Sequence, residues 1–345
     1  MQIKQESPQF VQTSLAGAIS LGMEPGRFLQ DVRCTCLNLL LTYDSGCAAS
    51  CSYCGLSRKR QVDDACQTFI RVKWPTYSLD EILERMQTRH HPFARVCVSM
   101  VTHARALEDT CTIIRRVKQD TSLPVSGLLA PTLLKGRRDL ETIKEAGADR
   151  VGIAIDAATP ELFDQHRGKG AGGPHRWEKF WNTIEEAVQV FGPYHVGVHL
   201  IVGLGETEQE MINIIAKAHE MGALTHLFSF FPEAGSPMEN QPQPPLGQYR
   251  RVQLARYLIN ENIVPVGSMR FSPAGQVVDF GVDIEPYVAQ GRPFMTSGCP
   301  GADGTVACNR PFGNERASEP MRNYPFVPGH QDVEMIRTQL WDGVR

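Results

Sequence analysis

Short apolar segments alternate with amphipathic helical segments through most of the chain, and this alternation limits the fold more than any other feature. Segments with the length and apolar content of buried strands precede segments whose apolar residues recur at helical spacing. Strands buried on both faces and joined through helices form a parallel sheet with right-handed crossovers. The predicted strands are 37–42, 95–101, 124–130, 150–155, 196–202 and 225–231, and the predicted helices are 79–87, 105–118, 137–146, 177–191, 206–221 and 247–260.

Six such units fit either an open doubly wound sheet or a partly closed barrel. In a barrel, the loops after the strands carry the chemistry. We expect an N-terminal helix near 11–21 within a lead-in segment, 1–36, and a barrel over 37–263. Gly and Pro become frequent afterwards, which predicts a loop-rich C-terminal extension over 264–345, with helical periodicity returning at 332–340.

The bulk composition narrows the class of protein. The 345 residues carry a formal net charge of -3, which gives no reason to expect a nucleic acid partner. No secretory signal pattern and no run of about 18 apolar residues occurs, so we expect a cytoplasmic protein without membrane contact. In a long intracellular chain, clustered cysteines more often bind metal or act in redox chemistry than form disulfides, and ten cysteines are present.

Three cysteines follow the first predicted strand at C-x3-C-x2-C spacing: Cys47, Cys51 and Cys54. Three thiolates can hold three irons of a 4Fe-4S cluster, which normally takes four, and leave one iron open for another ligand. The alternatives are three buried thiols or a structural zinc site. Zinc sites usually pair one C-x2-C with a second, and no comparable second pair occurs in this sequence.

This spacing, with the aromatic Tyr53 just before the third cysteine, resembles the signature of the radical S-adenosylmethionine (SAM) superfamily. The resemblance extends over about 37–237. It implies a partial (β/α)6 barrel of the TIM type, with the amino and carboxylate groups of SAM on the open iron. It also implies cleavage of SAM to a 5'-deoxyadenosyl radical that takes hydrogen from unactivated carbon.

Other strand ends suggest SAM contacts by the same resemblance. Gly203, Gly205 and Glu206 lie between a strand and a helix, like the family motif that packs against adenine. Asp156 and Arg167 follow the fourth strand and are candidates for ribose and SAM carboxylate contacts. A plain capping or surface role is the alternative for each of them.

Two further candidates, Ser99 and Thr102, follow the second strand, where the family often has a glycine-rich turn that binds the SAM amino group. The glycines are absent here.

A second set of cysteines could form another complete ligand set. Cys34 and Cys36 are spaced to point to the same face of an extended segment. Cys299 and Cys308 lie far downstream in a Gly- and Pro-rich segment, which gives little packing reason for buried cysteines. The four thiols predict a second, auxiliary 4Fe-4S cluster. The alternative is that the first pair is core and the second incidental.

Beyond the superfamily signature, the chain resembles the biotin-synthase-like group in the compact cysteine loop, in 231–237 and in the C-terminal extension. Within that group, 298–300, 308–311 and 314–316 look like the two-component lipoyl synthases. Arg310 and Arg316 are candidates to hold the auxiliary cluster or its loop, or surface charges.

The narrower resemblance implies a radical SAM sulfurtransferase. It would insert one sulfur at an unactivated C–H of an octanoyl chain on a lipoyl carrier protein or domain, with the auxiliary cluster consumed as the sulfur source. A second homologous radical SAM component would place the other sulfur. The implied electron donor is a protein such as ferredoxin or flavodoxin.

Two rival functions stay open. A biotin-synthase-like mutase or lyase, of the methylornithine synthase or hydrogenase maturase type, would need only one cluster. An iron-sulfur electron carrier or scaffold would need no large cavity. Of the remaining residues, Cys111 is predicted to be core and Cys66 and Cys97 have no assigned role, while His199 and His226 are weaker candidates for substrate contacts.

Overall fold

The computed structural model describes residues 4–28, 32–61, 68–310 and 320–344, and an eight-stranded sheet forms its centre. The strands of this sheet are β1 (Phe10–Thr13), β2 (Cys36–Leu41), β3 (Thr76–Ser78), β4 (Arg95–Ser99), β5 (Val125–Leu129), β6 (Ala148–Asp156), β7 (Val196–Val202) and β8 (Leu224–Ser229). Their spatial order is β3-β1-β2-β4-β5-β6-β7-β8. The run from β2 to β8 is parallel throughout.

Helices connect these strands and cover the outside of the sheet. They are α1 (Leu15–Ser20), α2 (Leu79–Thr88), α3 (Ala106–Asp120), α4 (Arg137–Glu145), α5 (Pro160–His166), α6 (Trp177–Phe191), α7 (Glu208–Glu220), α8 (Leu246–Asn260), α9 (Glu285–Gln290) and α10 (His330–Leu340). The sequence places their ends: the Thr207 hydroxyl and the Glu210 carboxylate form a capping box at the start of α7. No helix in the described ranges combines the length and apolar character needed to cross a bilayer.

The six parallel strands confirm the predicted fold class, a partial (β/α)6 barrel. In the described chain, β2 and β8 are not hydrogen-bonded to each other, so the barrel stays open. The predicted strands and helices agree with the observed ones to within about two residues at most ends. The polar side chains of Asn38, Ser126 and His226 line one internal cavity. Cys97 of β4 lines the same cavity, so Val96 and Val98, on either side of it in the strand, point to the opposite face of the sheet, where they are fully buried.

The predicted helix at 11–21 is wrong in its first part. Residues Phe10–Thr13 form β1, which pairs antiparallel with β2 through Val11 and Leu41, and the helix begins only at Leu15. The edge of β2 offers unpaired backbone groups, and pairing satisfies them better than a helix would. β3 and α5 were not predicted, because each is shorter than the window of about 11 residues over which hydrophobic periodicity is recognised.

The C-terminal extension has little regular structure before α10. A two-stranded sheet, β9 (Arg270–Phe271) and β10 (Val277–Asp279), comes first. α10 then packs against α8. The division into 1–36, 37–263 and 264–345 remains a prediction.

Candidate active site

The loop after β2 brings Cys47, Cys51 and Cys54 to the wall of one cavity at the C-terminal ends of the strands. Gly46 opens the loop in a left-handed conformation, with φ at 67°. The amide of Ala48 donates to the carbonyl of Thr102 at 2.7 Å, which ties the loop to the segment after β4. The predicted position of the three thiols at a strand end is therefore observed.

Polar groups surround the three sulfurs. The amide of Thr102 donates to Cys47 Sγ at 3.4 Å, and the amide of Leu56 donates to Cys54 Sγ at 3.4 Å. Burial raises the pKa of the Cys51 thiol to about 11, while the neighbouring Arg167 guanidinium opposes that rise. Amide and guanidinium donors stabilise sulfur that carries negative charge, so this environment fits metal-bound thiolates.

In the residues that the structure describes, no three His, Cys, Asp or Glu side chains converge as the ligands of a single metal ion do. Ligands of a 4Fe-4S cluster are arranged differently, because each cysteine binds its own iron. The three thiols on one cavity wall, with amides donating to two of them, fit such a cluster.

Tyr53, Asp156 and Arg167 form a buried polar cluster beside the thiols. The Tyr53 hydroxyl donates to Asp156 Oδ2, and the Arg167 guanidinium pairs with the same carboxylate. Arg167 also donates to the carbonyl of Ala154. All three predicted residues line the thiol cavity, but Asp156 and Arg167 are already engaged with each other. Their roles toward ribose and the SAM carboxylate remain predictions.

Ser99 and Thr102 also line the thiol cavity, at the end of β4 and just beyond it. Arg310 of the C-terminal extension donates to Ser99 Oγ at 3.2 Å. Thr102 contributes its backbone amide to Cys47. A role for either side chain toward SAM remains a prediction.

Gly203, Gly205 and Glu206 form a tight turn after β7. Both glycines have φ above 100°, and the buried Glu206 carboxylate accepts the amides of Gly203 and Leu204 at 2.7 and 2.9 Å. Burial raises the pKa of Glu206 to about 6. This turn lines a neighbouring cavity that the three thiols do not line. Its contact with adenine remains a prediction.

His166, which the sequence did not single out, links that turn to the cysteine loop. Its Nδ1 lies 2.9 Å from Ser52 Oγ, and its Nε2 lies 3.0 Å from the carbonyl of Leu204. Its own carbonyl accepts the amide of Ser52 at 2.8 Å. The histidine therefore fixes Ser52, between Cys51 and Tyr53, relative to the glycine turn.

The thiol cavity encloses about 220 Å³, and its deeper wall is mostly apolar. The side chains that form this wall include Leu40, Met100, Leu128, Ile201, Phe228 and Phe230. Periodicity predicted these strands but not which of their positions face inward, because both faces of a parallel strand are apolar.

A second cavity-wall segment that the sequence analysis missed is a turn across Ile70 and Arg71, both with positive φ. The buried Glu233 carboxylate holds it through the Arg71 amide at 2.5 Å and the Thr68 hydroxyl at 2.7 Å. The guanidinium of Arg71 lies over the ring of Phe231. A turn this short leaves no periodic signal in the sequence.

The second set of cysteines also comes together. Cys299 and Cys308 face each other across a hairpin-like loop, in which the amides of Ala307 and Cys308 donate to the carbonyl of Cys299 at 3.1 and 3.0 Å. A side chain at Gly298 would lie 2.3 Å from the carbonyl oxygen of Cys308, so only glycine allows the two strands of this loop to approach so closely.

Asn309 joins this loop to the segment before β2. Its side chain donates to the carbonyl of Arg33 at 2.7 Å and accepts the amide of Thr35 at 3.3 Å. The Thr35 hydroxyl donates to the carbonyl of Ala307 at 2.6 Å. These bonds place Cys308 beside the Cys34–Cys36 segment, although more than 270 residues separate them.

The four thiols lie close enough to interact electrostatically; Cys34 and Cys36 are buried, and Cys299 and Cys308 are half-buried. A hydrogen bond from the Cys36 thiol lowers the pKa of Cys308 to about 6, and Arg310 acts in the same direction. Burial raises the pKa of Cys34 and of Cys299 to about 12 each. The predicted proximity of Cys34, Cys36, Cys299 and Cys308 is therefore observed.

Cationic side chains accompany the second set. Arg95 is buried, donates to the carbonyl of Pro300 at 2.5 Å and pairs with Asp149 at 2.6 Å. Arg95 and Arg150 both counter the burial effect on the pKa of Cys299. Positive charge around buried thiols favours their thiolate forms.

Cys299 and Cys308 line a small cavity inside the barrel that adjoins the thiol cavity of the first set. Four side chains border both spaces: Leu128, His199, Phe228 and Arg310. His226 lines the small cavity, and its ring centroid lies 5.7 Å from that of His199. Burial holds the pKa of both histidines below the usual range. These four side chains thus lie between the first thiol cavity and the pair Cys299 and Cys308.

Cys66 and residues 314–316, which include Arg316, lie outside the described part of the chain. Cys111 is 3% exposed on α3 beside Ile114, as predicted for a core residue.

Comparison with curated proteins shows partial matches. The GTP 3',8-cyclase of Microcystis aeruginosa is 35% identical over 92 residues, which cover 26% of this chain and 26% of the cyclase. The GTP 3',8-cyclase of Trichormus variabilis is 34% identical over 92 residues, covering 26% and 25%. The chain thus matches about a quarter of the length of these relatives.

Two solved structures share the fold. Methylornithine synthase (PylB) has a TM-score of 0.50 at 16% identity, covering 72% of this chain and 66% of that one. HydG, a maturase of the [FeFe]-hydrogenase, has a TM-score of 0.51 at 12% identity, covering 65% and 50%. Residues 43–218, which contain the three-cysteine loop, match the model of the radical SAM superfamily. The chain therefore belongs to the radical SAM superfamily.

Proposed function

We propose that this radical SAM enzyme inserts a sulfur atom at an unactivated C–H of an octanoyl chain bound to a carrier protein, as one of two components that make the lipoyl group. When bound, a 4Fe-4S cluster and SAM supply the radical that takes hydrogen from the chain. Cys47, Cys51 and Cys54 would hold that cluster. The remaining question is what the second cysteine set contributes.

The observation that carries the proposal is the convergence of Cys34, Cys36, Cys299 and Cys308 next to the first thiol cavity. Four thiols with cationic neighbours suit an auxiliary 4Fe-4S cluster. In the proposed reaction, thiols of this region would hold the sulfur source.

The apolar wall of the first cavity supports an alkyl substrate. Leu40, Met100, Leu128 and Phe228 can contact methylene groups, whose burial is favourable by about 0.8 kcal/mol each. A substrate of this kind needs few polar partners. Leu128 and Phe228 also line the small cavity that contains Cys299 and Cys308. An alkyl chain against these two side chains would therefore lie between the first cysteine set and that pair.

Nucleotide cyclisation is a second candidate, because the curated relatives with partial matches are GTP 3',8-cyclases. A triphosphate needs several cationic or amide donors. Among the described residues, three arginines line the cavity: Arg167 is paired with Asp156, Arg310 contacts Ser99, and the guanidinium of Arg71 lies over the ring of Phe231. The larger share of apolar side chains in this lining favours the alkyl substrate over a triphosphate.

The mutase and lyase alternatives share the fold, as the similarity to methylornithine synthase and HydG indicates. Iron and sulfide analysis separates them from sulfur insertion. About eight irons per chain are expected for two 4Fe-4S clusters, and about four for a single one.

The decisive experiment incubates the anaerobically reconstituted protein with SAM, a reductant and an octanoyl-lysine peptide, with and without a homologous second component. Mass spectrometry should detect peptide that has gained one sulfur atom, together with 5'-deoxyadenosine. A parallel incubation with GTP tests the cyclase alternative. Cyclised nucleotide with unchanged octanoyl peptide would refute the proposal.

The proposed partners are the octanoylated carrier protein, a second homologous radical SAM component and an electron donor such as ferredoxin or flavodoxin. Each can be tested by substitution in the same assay, with the octanoylated carrier protein in place of the peptide and with ferredoxin or flavodoxin and its reductase in place of the chemical reductant. Turnover that requires ferredoxin or flavodoxin under these conditions identifies the electron donor.

A further inference from the structure

A fifth thiol faces the second cysteine set from inside the barrel. Cys97 lies in the middle of β4, where it is the register partner of Asn38 on β2, and it is buried. Cys36 lies two residues before Asn38, so the pleat directs it to the same side of β2 as Asn38. Cys97 lines the small cavity together with Asn38, Cys299 and Cys308.

The surroundings of Cys97 differ from those of Cys34. Cys97 lines the same cavity as Cys299 and Cys308, and Cys34 does not line it. The thiol of Cys34 instead donates to the backbone carbonyl of Cys36 at 3.3 Å. Cys97 is therefore placed to share a ligand with the hairpin-like loop.

A guanidinium accompanies the thiols of this cavity. Arg310 lines the cavity together with Cys97 and Cys308, and it donates to Ser99 Oγ at 3.2 Å. A cation beside the thiols compensates the negative charge of metal-bound thiolates.

We infer that Cys97, and not Cys34, completes the ligand set of the auxiliary cluster with Cys36, Cys299 and Cys308. This inference rests on the proposed function, because it requires an auxiliary cluster. Tetrahedrally arranged irons need thiols from four directions. Cys36 and Cys97 supply two thiols from the neighbouring strands β2 and β4. The hairpin-like loop supplies the other two, Cys299 and Cys308. Cys34 lies outside β2 and is held by the backbone of its own segment.

The test compares Cys97→Ala and Cys34→Ala, with Cys111→Ala as a matched control, because Cys111 is also buried but lies on α3. Each variant is reconstituted anaerobically and analysed for iron, for sulfide and by EPR spectroscopy. Cys97→Ala should retain about four irons, and the other two variants about eight. 5'-Deoxyadenosine formation in Cys97→Ala reports that the barrel and the first cluster are intact.

Cys97→Ser keeps the size of the side chain and guards against a folding defect in the alanine variant. An oxygen ligand should change the EPR spectrum of the auxiliary cluster while the protein stays folded. About eight irons and an unchanged spectrum in both Cys97 variants, or loss of four irons in Cys34→Ala, would overturn the inference. About four irons in the wild type would instead overturn the proposed auxiliary cluster itself, so the two failures are distinguishable.

Discussion

The two cysteine sets differ in how the chain assembles them. Cys47, Cys51 and Cys54 come from one loop after one strand, and amides donate to the sulfurs of the first and third. The second set takes thiols from the start of β2 and from a loop more than 260 residues later. Local spacing therefore encodes the first site, whereas the second exists only when the extension folds against the barrel.

The charges around the two sites also differ. At the first site, the buried Arg167 guanidinium pairs with the Asp156 carboxylate. At the second site, Arg95 bridges Asp149 and the carbonyl of Pro300. Arg310 lines the same small cavity as Cys299 and Cys308. The first arrangement orients a loop. The second holds a distant segment against the barrel and compensates thiolate charge.

The strongest test of this division is Cys51→Ala. Loss of one of three ligands should abolish SAM cleavage, because the remaining two cannot hold the cluster that supplies the electron. Since the second site is assembled independently, about four irons should remain. The measurements are 5'-deoxyadenosine by chromatography and iron per chain, with Cys111→Ala as the control. Undiminished 5'-deoxyadenosine would contradict the assignment of the first site.

The reciprocal variant is Cys299→Ala combined with Cys308→Ala. It should retain SAM cleavage and lose transfer of sulfur to the octanoyl peptide, because radical formation and sulfur donation are assigned to different thiols. Mass spectrometry of the peptide and 5'-deoxyadenosine from the same reaction give both readouts. Normal sulfur insertion in this double variant would refute the assignment of the second site.

The difference between the sites explains what the sequence could predict. The βα alternation placed the six parallel strands, and C-x3-C-x2-C spacing placed the first site, because both are short-range patterns. Cys97 had no assigned role, since a strand buried on both faces does not reveal which residues point inward. The position of Asn309 against Arg33 and Thr35 depends on tertiary contacts that no local pattern reports.

A smaller effect is expected when the ion pair of the first site is broken. Asp156→Asn removes the charge that compensates buried Arg167, at a cost of about 3 kcal/mol in the free energy of unfolding. Asn tolerates the left-handed backbone at this position, where φ is 63°. Asp149→Asn is the matched control, because its pair with Arg95 is half exposed on the carboxylate side and should contribute less.

Anaerobic urea titration of the two variants and the wild type measures these losses. Iron analysis then assigns each loss to a site. Asp156→Asn should weaken retention of the first cluster, whereas Asp149→Asn should weaken the second. Equal losses of stability in the two variants would contradict the difference in burial between the pairs.

The smallest effect concerns Glu206, whose carboxylate holds the glycine turn after β7. Burial raises its pKa in the folded state to about 6 from the usual 4.5, so between these pH values the folded state binds more protons than the unfolded state. Stability should therefore fall by about 2 kcal/mol as pH rises through this window.

Glu206→Gln should remove this dependence, and Glu220→Gln, at an exposed position of α7, should keep it. Urea titrations from pH 4.5 to 7 provide the comparison, because contributions from other groups cancel in the difference between wild type and variant. Parallel pH profiles for wild type and Glu206→Gln would show that the turn does not depend on the ionisation of this carboxyl.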